Sequence, residues 1–530
     1  MSFSSRRRNY LLTHHRRDGL IEWMKSMLMH SFVLDALDTT GADTFSHFEM
    51  LIEEHREICA SEGPKARSSR LTQLVPTCGT FHTYLPLRRA FDVYNAKYGL
   101  TKRKHICISF NELRHILNLA QIMALCSNHR RCYSTEKENE EQAQKHLEAL
   151  ELRSAMDLLH SPAHLAAVAP EGCPPSLNLN GNGSDHTRDA VDIGDSRRSF
   201  RGPTMITFDG DQTLYSDGAN FESNQELAQY LYLLVRNGVT VAVVTAAGYE
   251  YQTEKYELRL SGLLAFFKDR GMSTDDCERF YLFGGECNYL LRLGSDFRLH
   301  AVKETGTGGW QTATRNLDDA PGNWDELQCT ALLDMAEECM QLALEEQRLK
   351  ARLIRKKRSV GLVPLMNELI PREALDETIL RVQSELRSRP DITLPFCAFN
   401  GGRDAWLDCG NKRVGVEVLQ TYLGVPAEST LHIGDQFLNT GNDFAAREIC
   451  PCVWITSPEE TTYILKSILR LAGVPLNEKN REKGSESHGR VGDAGPAETQ
   501  VATLNLKEVE RRNDQVKTMD VFTGEMITKS

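Results

Sequence analysis

A short apolar run that ends in two aspartates limits the possible folds of this chain more than any other feature. Met205–Phe208 reads Met-Ile-Thr-Phe and is followed by Asp209, Gly210 and Asp211. Side chains alternate along a strand, so Asp209 and Asp211 share one face. Two carboxylates so close together favour a divalent cation, and one can attack phosphorus while its neighbour moves a proton. A lone pair of this kind is common, so its meaning depends on the motifs that lie further along the chain.

From Pro203 onward, strand and helix patterns alternate. Gln225–Arg236 has helical spacing, and Val239–Val244 is a continuous apolar run rich in β-branched residues, which is typical of a buried parallel strand. Alternating strands and helices predict an α/β fold with a doubly wound parallel sheet. Two later strands are predicted at Leu431–Ile433 and Val453–Thr456.

The regions outside the sheet differ in character. Residues 1–160 predict a mainly helical N-terminal region, with helices over about 111–125 and 135–159. Prolines and an Asn-Gly-Asn-Gly stretch make residues 161–203 a predicted linker. The polar tail, 476–530, is expected to be largely disordered.

A long insert interrupts the predicted sheet. We expect residues 204–250 and 396–475 to form the catalytic core, and residues 251–395 to form an inserted cap domain. Within the insert, a long helix is predicted from Trp324 to about Arg358, where a basic run ends it.

Charge and composition exclude several classes of protein. The 530 residues carry a formal net charge of −11, which argues against nucleic acid as the main partner. No apolar run reaches the roughly 20 residues of a membrane span, and the arginine-rich N-terminus lacks the apolar core of a signal peptide. The 14 cysteines are scattered and are expected to be reduced. These observations predict a cytoplasmic protein without a membrane partner.

Four pieces that suit phosphoryl transfer succeed one another along the chain. Asp209 would attack phosphorus, while Asp211 would protonate the leaving oxygen and then activate water. Thr245, which ends an apolar run, can donate a hydrogen bond to a phosphoryl oxygen, and Lys412 offsets negative charge. Asp435 would complete an oxygen-lined Mg²⁺ site with Asp209 and the backbone carbonyl of Asp211. Each piece alone is ordinary, but the set in this order predicts a phosphotransfer enzyme.

These motifs resemble those of the haloacid dehalogenase superfamily of Mg²⁺ phosphotransferases. The insert falls between the second and third motifs, where that superfamily places its larger type of cap. More specifically, Phe208–Gly218, Asn400–Trp406 and Gly434–Arg447 resemble the IMP-specific 5′-nucleotidases. The resemblance implies hydrolysis of inosine 5′-monophosphate (IMP) to inosine and phosphate. It also implies Mg²⁺ dependence, a homotetramer and activation by ATP.

The resemblance also assigns roles to residues of this chain. It makes Asp209 the nucleophile and Asp211 the proton donor, and it places the metal carboxylates on Asp209, Asp211 and Asp435. The implied substrate contacts are Asp211, Asp217, Thr245, Asp404 and Lys412. Asp217 and Asp404 suit ribose hydroxyls or base N–H groups, although both also suit turns beside a glycine.

Several alternatives stay open at this point. The superfamily often has a second acid four or five residues after the one that corresponds to Asp435. Here Asn439 holds the four-residue position and Asp443 is the next acid, and either could orient Asp435 or bind a metal-bound water. The basic cluster 102–105 is either a phosphate contact for ATP or a solvated loop. Tyr249 and Trp406 either stack on the base or pack internally. A sugar-phosphate phosphatase, a phosphomutase and an inactive nucleotide sensor are the competing functions.

Overall fold

A computed structural model describes most of the chain. The described residues are 18–32, 37–63, 68–76, 78–102, 108–131, 200–222, 224–438, 440–476, 518–519 and 526–527. The described residues up to Leu476 belong to one compact unit. In the tail, Thr518–Met519 pairs antiparallel with Met526–Ile527. The predicted helix over 135–159, nearly all of the linker and most of the tail lie outside the described residues.

The strands and helices alternate as the sequence predicts from Pro203 onward. In chain order, the strands are β1 (Met205–Phe208), β2 (Thr240–Val244), β3 (Phe280–Gly284), β4 (Tyr289–Leu293), β5 (Leu299–Ala301), β6 (Ala351–Arg355), β7 (Ser359–Pro364), β8 (Phe396–Asn400), β9 (Ala405–Cys409), β10 (Thr430–Gly434) and β11 (Cys452–Trp454). The helices are α1 (Gly19–Phe32), α2 (Leu37–Glu62), α3 (Arg70–Leu74), α4 (Leu87–Tyr98), α5 (Phe110–Arg131), α6 (Gln225–Arg236), α7 (Thr253–Arg259), α8 (Ser261–Asp269), α9 (Thr274–Cys277), α10 (Trp310–Ala313), α11 (Glu326–Glu346), α12 (Arg372–Arg387), α13 (Lys412–Leu423) and α14 (Pro458–Leu471).

The N-terminal region is helical, as expected. Helices α1 to α5 bury an aromatic core in which the rings of Phe45 and Phe91 stack 4.4 Å apart. Ser69 begins α3 by accepting a hydrogen bond from the backbone N–H of Thr72, which satisfies one of the free donors of a helix N-terminus. Helix α5 also packs against β11, so the helical region contacts the central sheet directly.

The central sheet has seven strands in the order β11-β10-β1-β2-β3-β4-β5. The five strands from β11 to β3 are parallel, and β4 and β5 add antiparallel to that edge. Parallel strands present their carboxyl ends at one edge of the sheet. The predicted residues that follow β1, β2 and β10 therefore meet there, and the predicted parallel sheet is confirmed.

Helices cover both faces of this sheet, because alternate residues of each strand are apolar on both sides. On one face, Phe208 and its neighbours pack against α6 and α14. On the other face, Ala242 and Val244 pack against α13 through Val414 and Val418. This is the doubly wound arrangement that the continuous apolar runs predict.

The insert has a sheet of its own, in the order β6-β7-β9-β8 with all neighbours antiparallel. Helices α11 and α12 cover one face of this sheet and bury Leu332, Ile379 and Leu407. The opposite face of β9 carries Trp406 and Asp408, and Asp404, directly before the strand, continues this alternation.

The limits of the insert, judged by which sheet each strand joins, differ from the predicted 251–395. Strands β3 to β5, within residues 280–301, belong to the central sheet, whereas β8 and β9, within residues 396–409, belong to the sheet of the insert. The apolar run of β3 pairs with β2, and β8 pairs with β9 as a hairpin. Long-range pairing of this kind leaves no local mark in the sequence.

The helix predicted from Trp324 to Arg358 is too long. Helix α11 ends at Glu346, and Arg348 takes a left-handed backbone conformation with φ of 52°. Residues 351–355 then pair with β7 as a strand. Lys350 and Arg352 alternate with Ala351 and Leu353, which is a strand period, but Ile354 and Arg355 break it, so the pattern is too short to be read from the sequence.

None of the described helices is both long and apolar enough to cross a membrane.

Candidate active site

Asp209 lies directly after β1 and is almost fully buried. Its Oδ1 accepts a hydrogen bond from the backbone N–H of Gly210 at 2.6 Å, and its Oδ2 lies 2.7 Å from Nζ of Lys412. Burial raises the pKa of Asp209 to about 7, even though the charge of Lys412 opposes that rise. The contacts with Gly210 and Lys412 hold the side chain of Asp209 in one orientation at the edge of the sheet.

Lys412 is the first residue of α13 and is completely buried. The helix starts here because the side chain of Asn411 accepts a hydrogen bond from the backbone N–H of Val414 at 3.0 Å. Nζ of Lys412 lies 2.7 Å from Asp209 and 2.7 Å from Oδ1 of Asp443. Burial alone would lower its pKa, but the surrounding carboxylates raise it, so Lys412 stays charged.

A buried hydrogen-bond chain supports Lys412 from behind. Asp443 contacts Nε2 of His432 at 2.9 Å, and Nδ1 of His432 contacts the Thr207 hydroxyl at 2.8 Å. Thr207 and His432 are register partners on β1 and β10. Burial lowers the pKa of His432, so the imidazole is neutral and we infer that it donates from Nε2 to Asp443. Burial opposes ionisation of Asp443, but Lys412 and His432 hold its pKa well below the usual range.

Three carboxylates come together beside Lys412. Single oxygens of Asp209, Asp435 and Asp443 lie within 4.8 Å of one another. Gly434 allows this approach, because a Cβ there would lie 2.3 Å from the carboxylate of Asp443. Asp435 follows β10, and its buried Oδ1 has no hydrogen-bond partner among the described residues. Burial, with Asp209 and Asp443 nearby, raises the pKa of Asp435 well above its usual value. An orphaned acceptor in an all-oxygen cluster fits a hard divalent cation.

The side chain of Asp211 turns to a different partner. Nη2 of Arg259 donates to both of its oxygens at 3.0 and 3.1 Å, and the backbone N–H of Gly218 donates to Oδ1 at 3.0 Å. Its carboxylate is not one of the three that cluster among the described residues. Burial raises the pKa of Asp211, although the charge of Arg259 and the hydrogen bond from Gly218 oppose that rise.

Thr245 lies beside the loop that carries the two aspartates. A Cβ on Gly210 would lie 3.2 Å from Oγ1 of Thr245 and 2.4 Å from the hydroxyl of Tyr215. Oγ1 of Thr245 accepts a hydrogen bond from the backbone N–H of Ala247 at 3.1 Å, so its own hydrogen can be donated elsewhere. Glycine at position 210 is thus needed for the close approach of these two side chains.

Asp217 and Asp404 meet across the boundary between the central sheet and the insert. Oδ2 of the exposed Asp217 lies 3.6 Å from where a Cβ on Gly402 would stand. Burial raises the pKa of Asp404, and the charge of Asp217 adds to that rise. The structure therefore brings both predicted substrate residues to one place.

Several residues at the site belong to no motif or spacing pattern by which the sequence would identify them. Arg259 pairs with Asp211, which lies far from it in the chain. Glu286 is fully buried and accepts a hydrogen bond from Asn442 at 3.1 Å. Burial raises its pKa well above the usual value. Asp408 is the third such residue, and it lines a cavity between the central sheet and the insert.

A contact from the helical region reaches the acid cluster through Trp454. Nε1 of Trp454 donates to the backbone carbonyl of Asp435 at 2.8 Å. The backbone carbonyl of Trp454 accepts hydrogen bonds from Arg114 and Asn118 of α5 at 2.5 and 2.6 Å. The position of Asp435 therefore depends on a residue that α5 holds in place.

Tyr249 and Trp406 both pack against protein groups. The ring of Tyr249 lies 5.1 Å from that of Tyr256, and Nζ of Lys356 lies 4.6 Å from the ring centroid of Trp406. Within the basic cluster, residues 103–105 lie outside the described residues, as does Asn439. The alternatives for the basic cluster and for Asn439 therefore both stay open.

The fold and the site define a class: an α/β protein with paired acids, a buried lysine and an acid cluster at the carboxyl edge of a parallel sheet. Comparison with known proteins narrows this class. The family described as IMP-specific 5′-nucleotidase matches residues 2–137 and 192–465. The chain belongs to this family, and its curated relatives are named IMP-specific 5′-nucleotidase 1, an enzyme of the phosphoric monoester hydrolase class.

Individual relatives extend over most of the chain. IMP-specific 5′-nucleotidase 1 of Kluyveromyces lactis is 34% identical over 500 residues, which covers 88% of this chain and 99% of that protein. An IMP-bound mutant of the Plasmodium falciparum IMP-nucleotidase has a TM-score of 0.65 at 31% identity, covering 86% of this chain and 94% of that one. The ATP-bound form of the same nucleotidase has a TM-score of 0.63 at 31% identity, covering 86% of this chain and 85% of that one.

Proposed function

We propose that this chain hydrolyses IMP to inosine and phosphate. The observation that carries the proposal is the buried Asp209, held by Lys412 beside an acid cluster with an unsatisfied oxygen. The family membership and the IMP-bound relative support IMP as the substrate. The competing sugar-phosphate phosphatase and phosphomutase share the chemistry but have no observation of their own in favour.

The proposed reaction has two steps. An oxygen of Asp209 forms a bond to phosphorus while the bond between phosphorus and the ribose 5′-oxygen breaks, and Asp211 gives its proton to the departing oxygen. Water then attacks the aspartyl-phosphate and gives a proton to Asp211, which releases phosphate and restores Asp209. Thr245 and Lys412 would bind the phosphoryl oxygens and stabilise their charge throughout. Asp217 and Asp404 would hold the nucleoside.

The residues present fit a Mg²⁺ ion. Asp435, whose Oδ1 has no hydrogen-bond partner in the described chain, and Asp209 would hold it, with Asp443 beside them. A bound Mg²⁺ supplies positive charge that offsets the repulsion between an anionic nucleophile and an anionic phosphate. The Asp211 backbone carbonyl remains a further proposed ligand.

Regulation and assembly are further parts of the proposal. The ATP-bound structure of the Plasmodium falciparum relative supports ATP as an effector. The homotetramer and the cytoplasmic location remain predictions. If light scattering shows no tetramer, the proposed assembly is wrong, but the proposed reaction is unaffected.

A substrate panel tests the proposed activity. Phosphate release from IMP, AMP, GMP and a sugar phosphate is measured with Mg²⁺, each with and without ATP. We expect IMP to give the highest kcat/KM and ATP to raise it. Equal rates on the three nucleotides would refute the specificity, and transfer of the phosphoryl group to an added sugar phosphate would favour the mutase.

A further inference from the structure

A cavity of about 340 Å³ lies between the central sheet and the insert. It starts at Ala246, the residue after Thr245, and continues along the turn that joins β3 to β4. Its opposite wall is formed by residues of β7 and β9, among them Ser359 and Asp408. A phosphate bound at Thr245 and Lys412 would therefore leave the rest of a nucleotide at the mouth of this cavity.

Asp408 places a buried carboxylate in the cavity wall. It is 4% exposed, and its Oδ2 has no hydrogen-bond partner among the described residues. Burial raises its pKa to about 7, although Lys356 and the Ser359 hydroxyl oppose the rise. A buried acceptor without a partner costs free energy, which a ligand that donates a hydrogen bond would recover. The proposed reaction gives Asp408 no part in the chemistry.

The other wall residues indicate the chemistry of such a ligand. Asn288 uses its amide nitrogen on the carbonyls of Gly285 and Cys409, at 2.6 and 2.9 Å, so it can offer a ligand only an acceptor. Tyr249 and Tyr289 add aromatic surface. The wall also carries the basic residues Lys255, Lys356, Lys357 and Arg358. A flat ring with an N–H group at its edge matches the acceptors and the aromatic surface, and the basic side chains suit a ligand that also carries phosphate, as a purine nucleotide does.

We propose that Asp408 is a specificity-determining residue that accepts a hydrogen bond from the N1–H group of the hypoxanthine base. The assignment rests on the proposed function and deepens it. Hypoxanthine carries a hydrogen on N1, whereas N1 of adenine is an acceptor. In the same pose, adenine would place the lone pair of N1 against Oδ2 of Asp408, and its 6-amino group would have to shift to replace the missing donor. Such a mismatch in a buried site discriminates strongly between substrates.

The chemistry of guanine gives this proposal an internal control. Guanine has the same N1–H group as hypoxanthine and differs by its 2-amino group. Because only Oδ2 of Asp408 lacks a partner among the described residues, one hydrogen bond from N1–H satisfies it with either base, so Asp408 separates IMP from AMP far more than it separates IMP from GMP. A change confined to Asp408 must alter the first selectivity and leave the second almost unchanged.

The test is the Asp408→Asn variant. The asparagine amide can donate to N1 of adenine and can still accept from N1–H of hypoxanthine. We expect the kcat/KM ratio of IMP to AMP to fall at least about tenfold, while the ratio of IMP to GMP stays within about twofold. Asp376→Asn is the matched control, because Asp376 is a buried insert carboxylate whose Oδ1 already accepts from Asn400 at 2.8 Å. Neither ratio should change in that control.

Binding of the nucleosides gives a readout that does not need turnover. Calorimetry with inosine and adenosine should show adenosine gaining affinity relative to inosine in Asp408→Asn. An unchanged preference for inosine, or an equal change of both kcat/KM ratios, overturns the role of Asp408. If the wild-type protein selects IMP and only the variant behaves unexpectedly, the proposed function stands. Wild-type protein that binds and cleaves all purine nucleotides equally refutes both.

Discussion

Nζ of Lys412 lies 2.7 Å from Oδ2 of Asp209, and both side chains are buried at the edge of the central sheet. The same ammonium group lies 2.7 Å from Asp443, so one cation serves two carboxylates. Lys412 therefore fixes the orientation of the proposed nucleophile and limits the cost of burying it. The stability of the protein and the geometry of the proposed reaction depend on the same contact.

Replacing Lys412 with methionine tests how far the fold depends on this cation. The change leaves Asp209 and Asp443 buried without their shared partner. We expect the free energy of unfolding at pH 8, measured by urea denaturation without divalent cations, to fall by about 3 kcal/mol. The loss should be smaller at pH 5, because the pKa of Asp209 is raised to about 7 and protonation removes part of the uncompensated charge.

Lys350 provides the matched control for that experiment. Its Nζ also lies 2.7 Å from a carboxylate, that of Glu368, but the pair is exposed. Lys350→Met should change the free energy of unfolding by at most about 0.5 kcal/mol. Equal effects of the two substitutions would contradict the special role of the buried pair.

Replacing Trp454 tests whether a residue outside the acid cluster of Asp209, Asp435 and Asp443 positions one of its members. Trp454→Phe keeps an aromatic ring but removes the N–H group that donates to the carbonyl of Asp435. We expect the affinity for Mg²⁺ to fall about tenfold, because groups that orient a metal ligand affect affinity on this scale. Calorimetric titration of the protein with Mg²⁺, without substrate, measures the effect.

Trp324 gives a control of the same chemistry elsewhere. Its Nε1 donates to the backbone carbonyl of Asp319 at 2.9 Å, and Asp319 is not one of the clustered acids. Trp324→Phe should leave the affinity for Mg²⁺ unchanged. If both tryptophan variants bind Mg²⁺ like the wild type, Trp454 does not position Asp435.

Glu460 makes the contact between α5 and α14 dependent on pH. Its Oε1 lies 2.8 Å from Nη1 of Arg114 and 3.2 Å from Nδ1 of His115. Burial works against ionisation, but His115 and Arg114 lower the pKa of Glu460 to about 2. A depressed pKa stabilises the fold above the unfolded-state value of 4.5, and this contribution is lost as the pH falls towards 2.

The corresponding variant is Glu460→Gln. The lowered pKa of Glu460 corresponds to about 3 kcal/mol of stabilisation of the folded state at pH 7. We expect the variant to be less stable than the wild type at pH 7, with a clearly smaller difference at pH 3, as measured by thermal and urea unfolding. A difference that is independent of pH would mean that Glu460 contributes through packing rather than charge.

The sequence predicted those parts of the fold that have a local pattern. The run Met205–Phe208 and the later strand before Asp435 are apolar and end in acids, so both their buried positions and their shared edge followed from the rules of parallel sheets. The start of α13 at Lys412 was also predictable, because Asn411 is a strong N-terminal cap.

Contacts between distant segments could not be predicted in this way. Arg259 reaches Asp211, and Trp454 reaches Asp435, through tertiary packing that leaves no spacing pattern in the chain. The same holds for Asp408, which faces residues beside the central sheet across a cavity. The limits of the insert were misplaced for a related reason, because sheet membership is decided by pairing between strands far apart in sequence.

The rate of IMP hydrolysis by the Asp209→Asn variant is the decisive test of the proposed chemistry. Asparagine keeps the size of the side chain and an oxygen for Lys412, so folding can be verified by circular dichroism. Phosphate release from IMP with Mg²⁺ is then compared with the wild type. We predict rapid release by the wild type and a loss of at least about 10³-fold in kcat in the variant, because the amide cannot form the aspartyl-phosphate. A folded Asp209→Asn protein that turns over IMP at the wild-type rate would contradict the role of Asp209 as the nucleophile.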